Sequence, residues 1–235
     1  MTPLDPATLP GPVWVVAPHP DDEALGCGGL IAALSGAGRE VWALLLSDGG
    51  LSHPGSRAYP RERLAAARLE EWRAGLAVLG VPGARTRTLG LSDGELDAHP
   101  EALTRGAVAA FREALPGTVL LPWGRDPHPD HRAVWLPLLH AVGVVGATAT
   151  CLAYTVWLDE RGTPADHPRP GETRPLTLDV TPWLPRKRRA ILAHRTQLGW
   201  ITDDPGGFTL PASLIERALS GTETYHSLLP AEVSP

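Results

Sequence analysis

Cysteine is nearly absent from this sequence. Cys27 and Cys151 are the only two in 235 residues, too few and too far apart for a disulfide framework or a cysteine-rich zinc knuckle. Organised positive charge is missing as well. The net charge is -5 and no dense Lys/Arg stripe appears, which argues against a nucleic acid partner. The one basic run, Arg186-Lys187-Arg188-Arg189, reads as the solvated face of a helix. Long apolar runs are lacking too. The longest weakly polar stretch, Ala141 to Tyr154, is interrupted by Gly and Thr and falls short of the ~20 residues that a membrane helix needs. The N-terminal Met-Thr-Pro-Leu-Asp-Pro has neither the basic nor the apolar region of a signal peptide. The expectation is a cytoplasmic protein with no membrane partner.

What is present suits a packed fold. Hydrophobic residues make up 43% and charged residues 20% of the chain, enough for a sizeable core. Val13–Ala17 and Val41–Leu46 are short apolar runs that read as strands buried on both faces. Between them, Glu23 to Leu34 carries Leu25, Leu30, Ile31 and Leu34 at helical spacing, stopped by Gly36 and Gly38. Arg61–Leu79 repeats the pattern with Leu69, Trp72, Leu76 and Leu79. Thr118–Leu121 and Leu152–Leu158 are further strands around a helix from about Arg132 to Ala141. Asp159–Pro175, rich in Pro, Gly and charge, reads as a loop or hairpin excursion. A last strand (Leu176–Val180), a helix (Leu184–Leu198) and a turn-rich tail follow.

This alternation predicts an α/β fold: a single-domain, Rossmann-like three-layer sandwich over residues 1–235, with a mostly parallel sheet and helices on both faces. Such sheets bind ligands beyond the carboxyl ends of their strands, at a topological switch point. Chemistry is therefore expected just after Ala17, Leu46, Leu89 and Leu121.

Two polar clusters fall at those ends. Ala17-Pro18-His19-Pro20-Asp21-Asp22-Glu23 packs one imidazole and three carboxylates behind the first strand, with Pro18 and Pro20 restricting the backbone around His19. Trp123-Gly124-Arg125-Asp126-Pro127-His128-Pro129-Asp130-His131-Arg132 follows a later strand, with prolines flanking His128. A lone histidine at a strand end is usually a structural hydrogen-bonder; two such clusters converging on one sheet edge favour a metal site. Two imidazoles and a carboxylate leave a fourth tetrahedral position open, as catalytic zinc sites do, and ferrous iron suits the same set.

His19-Pro20-Asp21-Asp22-Glu23 and His128-Pro129-Asp130-His131 resemble the two signature motifs of the LmbE / PIG-L family of zinc-dependent N-deacetylases. Members of that family remove the acetyl group from N-acetylglucosamine-containing substrates, including precursors of the thiols mycothiol and bacillithiol. The resemblance covers most of the chain, through Arg68 with Glu71, Leu79-Gly80, Asp93-Gly94 and His194-Arg195-Thr196-Gln197. Thr196 stands where the family usually has Ser, and Pro18 where it often has Ala.

The resemblance implies His19, Asp22 and His131 as zinc ligands and Asp21 as the general base for a zinc-bound water attacking the amide carbonyl. It further implies His128 as stabiliser of the oxyanion, as an imidazolium held by Asp130, and a sugar bound by Arg68 and, less directly, Asp93. Its substrate would be an N-acetylated amino sugar or conjugate, and a homo-oligomer, trimer or hexamer, would be compatible with it.

Blander readings stand beside these. Asp22 or Glu23 would suit a helix N-terminus electrostatically. Arg68 and Glu71, three apart, would serve as a surface pair. His194 and Gln197 share a helix face and serve either the substrate or packing. Gly26-Cys27-Gly28-Gly29 is not a phosphate cradle, since the adjacent carboxylates repel a pyrophosphate; close helix–sheet packing explains it, with Cys27 as a small apolar filler. Most of the eight Trp belong in the core, although Trp123 lies where it would stack on a sugar ring. Competing functions are hydrolysis of another acyl amide or an ester, and a non-enzymatic sugar- or nucleotide-binding module.

Overall fold

A computed structural model of the chain describes residues 1–228. Its elements run β1 (Thr2–Pro3), β2 (Val13–Ala17), α1 (Asp22–Gly36), β3 (Val41–Ser47), α2 (Arg61–Leu79), β4 (Thr86–Leu91), α3 (Pro100–Glu113), β5 (Thr118–Pro122), α4 (Pro129–Val144), β6 (Thr150–Tyr154), α5 (Leu158–Arg161), β7 (Thr173–Asp179), α6 (Leu184–Ile191), α7 (Ala212–Ala218) and β8 (Thr222–Leu228). The strands form one sheet in the order β1-β7-β8-β6-β5-β2-β3-β4. Every pairing is parallel except those of β8, which runs against both β6 and β7. A mostly parallel sheet between two helical layers is therefore the architecture.

Side-chain alternation along β2 explains why both layers are needed. Val13, Val15 and Ala17 enter one core with Leu30, Ile31 and Trp72, while Trp14 and Val16 enter the other with Leu103, Phe111 and Leu138. All five β2 residues are buried, so the strand reads as a continuous apolar run rather than an alternating one. Helices α1, α2 and α6 pack together on the first face, and α3 with α4 on the second. α2 ends where Gly80 turns left-handed (φ 96) and Val81 donates its N–H back to Leu76 O, the closure that glycine permits after a helix.

The chain leaves β2 for β3 and β4 on one side, then returns to place β5 on β2's other side. The switch point thus lies between the carboxyl ends of β2 and β5, where the two His-rich segments emerge.

Several elements differ from the sequence reading. The strand expected to reach Leu158 stops at Tyr154, because the amides of Val156 and Trp157 donate to the Asp126 carboxylate instead of a neighbouring strand. The helix expected to reach Leu198 ends at Ile191, and a single 3-10 turn, Arg195–Gln197, follows. There the Thr196 amide and hydroxyl are both taken by Glu71. The turn-rich tail holds α7 and β8, and α3 was not anticipated; whatever follows Leu228 lies outside the described residues. The basic run is solvated at Arg186, Arg188 and Arg189, but Lys187 is buried against Glu223 at 2.8 Å.

The glycine run does serve close packing. A Cβ at Gly26 would meet the Tyr154 ring, one at Gly28 would lie 2.9 Å from Lys187 Cγ, and one at Gly29 would lie 2.5 Å from Val180 Cβ. Among the described residues no helix is long and apolar enough to cross a membrane.

Candidate metal-binding and catalytic site

The loop from β2 into α1 is bent sharply at Asp21, whose φ of 136° makes it the single non-glycine residue with positive φ among those described. Such a conformation costs on the order of 1–3 kcal/mol and persists only where its surroundings impose it. Here the surroundings are visible. The His19 amide donates to Asp22 Oδ2 at 2.8 Å, and Arg68 Nη2 donates to Pro20 O at 2.9 Å and to Asp21 Oδ2 at 3.2 Å. The bend sends the adjacent carboxylates apart, Asp21 toward Arg68 and Asp22 toward the histidines.

Asp22 Oδ2 stands 3.2 Å from His19 Nδ1 and 3.1 Å from His131 Nε2. One ligand atom each of His19, His128 and His131 also fall within 4.8 Å of one another, as do those of His19, Asp93 and Asp130. His131 is fully buried, and neither of its ring nitrogens has a partner in hydrogen-bonding geometry. Burial without a hydrogen bond is costly for a polar atom. A divalent cation between His19, Asp22 and His131 would satisfy His131 Nε2, so the donor set fits a metal. Helix-dipole stabilisation alone does not account for Asp22.

Electrostatics point the same way. Burial opposes a proton on either imidazole, yet the carboxylates win: Asp130, Asp22 and Asp93 raise His19 well above its ordinary range, and Asp22 with Asp126 raises His131 to about 9. Burial would raise Asp22, but His131 and His19 hold it well below the usual carboxylate range. A cation competes with those protons for the same nitrogens, since metal ligands must be deprotonated. Asp21 behaves oppositely. Burial lifts it to about 7, against the downward pull of Arg68, which suits a group that exchanges protons near neutrality.

The outer nitrogens face carboxylates. His19 Nε2 lies 3.0 Å from Asp130 Oδ2 and 3.3 Å from Asp93 Oδ1. His131 Nδ1 lies 3.3 Å from Asp126 Oδ1. Carboxylates in this position fix the tautomer and orientation of metal-binding imidazoles.

His128 departs from expectation. Its Nδ1 accepts the backbone N–H of Asp130 at 3.2 Å, while the Asp130 carboxylate turns away to His19 and to the amides of Gly94 and Leu96. Burial, with His19 and His131 nearby, lowers His128 to about 4. The ring is a neutral imidazole with Nε2–H as its donor, not an imidazolium paired with Asp130.

A cavity of about 240 Å³ opens over these groups. His19, Asp21, Asp22, Arg68 and Asp93 form its polar side, and Leu51, Trp157, Phe208 and Leu210 an apolar wall, with His128 and Gln197 also contributing. Arg68 is buried and ties Asp21 to Pro20 O and Gly49 O; it makes no surface pair with Glu71, which binds Thr196. Asp93 also accepts the Leu51 amide.

Of the candidate sugar contacts, Trp123 and His194 do not line the cavity. Trp123 is buried under the excursion, its Nε1 donating to Asp166 O at 2.8 Å, so it offers no face to a sugar. His194 is fully buried, with Nε2 4.0 Å from Glu23 Oε1. Glu23 itself points into the core and accepts Trp72 Nε1 at 3.1 Å.

Reading the sequence missed Asp126, Trp157 and Phe208. Asp126 lay inside the second polar segment, and its position five residues before His131 was the available signal. Trp157 and Phe208 come from loops whose convergence only the fold determines.

The family model described as GlcNAc-PI de-N-acetylase, PIG-L, matches residues 14–142, a span that contains both polar segments. A diacetylchitobiose deacetylase from Thermococcus kodakarensis is 36% identical over 140 residues, covering 57% of this chain and 50% of that one; the chain thus spans half the length of that relative. A 1D-myo-inositol 2-acetamido-2-deoxy-alpha-D-glucopyranoside deacetylase from Saccharomonospora viridis is 32% identical over 237 residues, covering 82% of this chain and 86% of that one. Among solved structures, the N,N'-diacetylchitobiose deacetylase from Pyrococcus horikoshii superposes with a TM-score of 0.64 at 23% identity, over 87% of this chain and 73% of that one, a likeness of fold.

Proposed function

Because the chain belongs to the PIG-L, GlcNAc-PI de-N-acetylase family, we propose that it is a zinc-dependent N-deacetylase that hydrolyses the acetamide of an N-acetylglucosamine-type substrate. The observation that carries this reading is Asp22 Oδ2 lying within 3.2 Å of both His19 Nδ1 and His131 Nε2, with Asp21 next in the chain. His19, Asp22 and His131 would hold the ion. When bound, zinc polarises the amide carbonyl and acidifies water. Ferrous iron is the competing ion for the same donors.

Asp21 takes a proton from the water that attacks the carbonyl carbon, and delivers it to the departing nitrogen as the C–N bond breaks, leaving acetate and a free amine. Its pKa near 7 suits both transfers. Arg68 keeps that carboxylate aimed and charged. His128, accepting at Nδ1 from the Asp130 amide, has its Nε2–H free to donate to the oxygen that gains charge. The apolar side chains of Trp157, Phe208 and Leu210, which line the same cavity, reduce the water around the reacting groups. The proposed partner is thus a small N-acetylated amino sugar or its conjugate.

The test combines elemental analysis with an assay of amine release from N-acetylglucosamine compounds, for the wild type and Asp21→Ala. The reading expects about one metal per chain in both proteins and turnover reduced by about 10²–10⁴-fold in the variant. Equal turnover by the variant, or a wild type that takes up no metal, would overturn it.

A further inference from the structure

Asp126 is fully buried, and each of its carboxylate oxygens is committed twice. Oδ1 accepts the His128 amide at 3.1 Å and faces His131 Nδ1 at 3.3 Å. Oδ2 accepts the amides of Val156 at 3.1 Å and Trp157 at 3.0 Å. These two amides mark where β6 stops, and Trp157 is part of the apolar wall of the cavity. One side chain therefore bridges a proposed metal ligand on α4 and the wall that would receive the substrate.

We propose that Asp126 is a positioning residue that couples metal binding at His131 to the order of the Val156–Trp157 segment, which carries Trp157 into the cavity wall. The inference rests on the reading of His131 as a ligand. A cation on Nε2 requires the ring proton on Nδ1, facing Asp126 across 3.3 Å, and by withdrawing charge from the ring it makes that N–H a stronger donor and draws the contact toward hydrogen-bonding geometry. A carboxylate fixed more firmly at Oδ1 is fixed at Oδ2 as well, so the amides it holds open less often. Linkage makes the effect reciprocal: whatever factor metal binding adds to wall closure, wall closure adds to metal affinity.

Asparagine at this position cannot serve both ends. With its NH2 toward His131, the ring becomes protonated on Nε2 and the ligand nitrogen is blocked. With its NH2 toward Val156 and Trp157, two amides lose their acceptor. Asp126→Asn keeps the volume of the side chain and breaks the bridge in either orientation.

The experiment measures zinc affinity by competition with a chromophoric chelator, and hydrogen exchange at the Val156 and Trp157 amides with and without zinc. In the wild type, zinc is expected to slow exchange at both amides by about 5–150-fold. The Arg57 and Ala58 amides, held by Asp203, are expected to stay unchanged. In Asp126→Asn, zinc affinity should fall about 10–100-fold and the zinc-dependent protection should vanish. The wild-type exchange data stand even if the variant fails to fold. Zinc binding to the wild type with no change at Val156 and Trp157 would overturn the coupling and leave the metal site standing. A wild type that binds no zinc would overturn both.

Discussion

Arg68 and Asp21 form a buried pair: Nη2 of Arg68 stands 3.2 Å from Oδ2 of Asp21, with side-chain exposures of 5% and 7%. The guanidinium also spans Pro20 O and Gly49 O, so it ties the bend to the loop after β3 as well as holding the carboxylate. A lysine has one charge centre and cannot reproduce that planar fork.

Arg68→Lys is therefore expected to lower kcat by about 10-fold or more while leaving KM near its original value, since the loss falls on the base rather than on uniform binding. Steady-state kinetics on an N-acetylglucosamine substrate separate the two. A rise in KM at constant kcat would return Arg68 to a sugar-binding role.

Burial, with the Arg68 charge adding to it, lowers His194 from its ordinary 6.5 to about 3. Between those values the unfolded chain carries a proton that the fold rejects, so stability is complete above about pH 6.5 and falls on acidification. One such group contributes a slope of at most about 1.4 kcal/mol per pH unit. Urea unfolding of the metal-free wild type and His194→Gln between pH 4 and 7 should therefore give curves that converge toward acid. Parallel curves would mean that His194 titrates normally.

Gly29→Ala places a methyl 2.5 Å from Val180 Cβ, in a core with no slack. A loss of about 1–3 kcal/mol is expected, read as a lower denaturant midpoint at unchanged slope. Gly83→Ala, where nothing lies within 4 Å of the added carbon, is the control and should stay within about 0.5 kcal/mol of wild type. Equal stability for the two variants would contradict the packing described for α1.

The parts of this molecule that were legible in the sequence are those written in local pattern. Val13–Ala17 and Arg61–Leu79 appear as read, because an apolar run and a helical stripe are each fixed by near neighbours in the chain. The switch point was legible too, and with it the meeting of the His19 and His128–His131 segments. What escaped depended on distant partners. Trp123 beside the second segment looked available to a sugar until the excursion folded Asp166 over it. Lys187 looked solvated until β8 brought Glu223 beneath it. Leu152–Leu158 looked like one strand because nothing local announces that Asp126 will claim its last amides.

His19, Asp22 and His131 are proposed to hold a single ion on which acetamide hydrolysis depends. Zinc titrated into chelator-stripped protein, with amine release from an N-acetylglucosamine substrate followed at each addition, measures that dependence. No release is expected without metal, then a linear rise on adding zinc and a break at about one equivalent per chain, as a single catalytic site requires. Release that is undiminished in the stripped protein and indifferent to added zinc would contradict it.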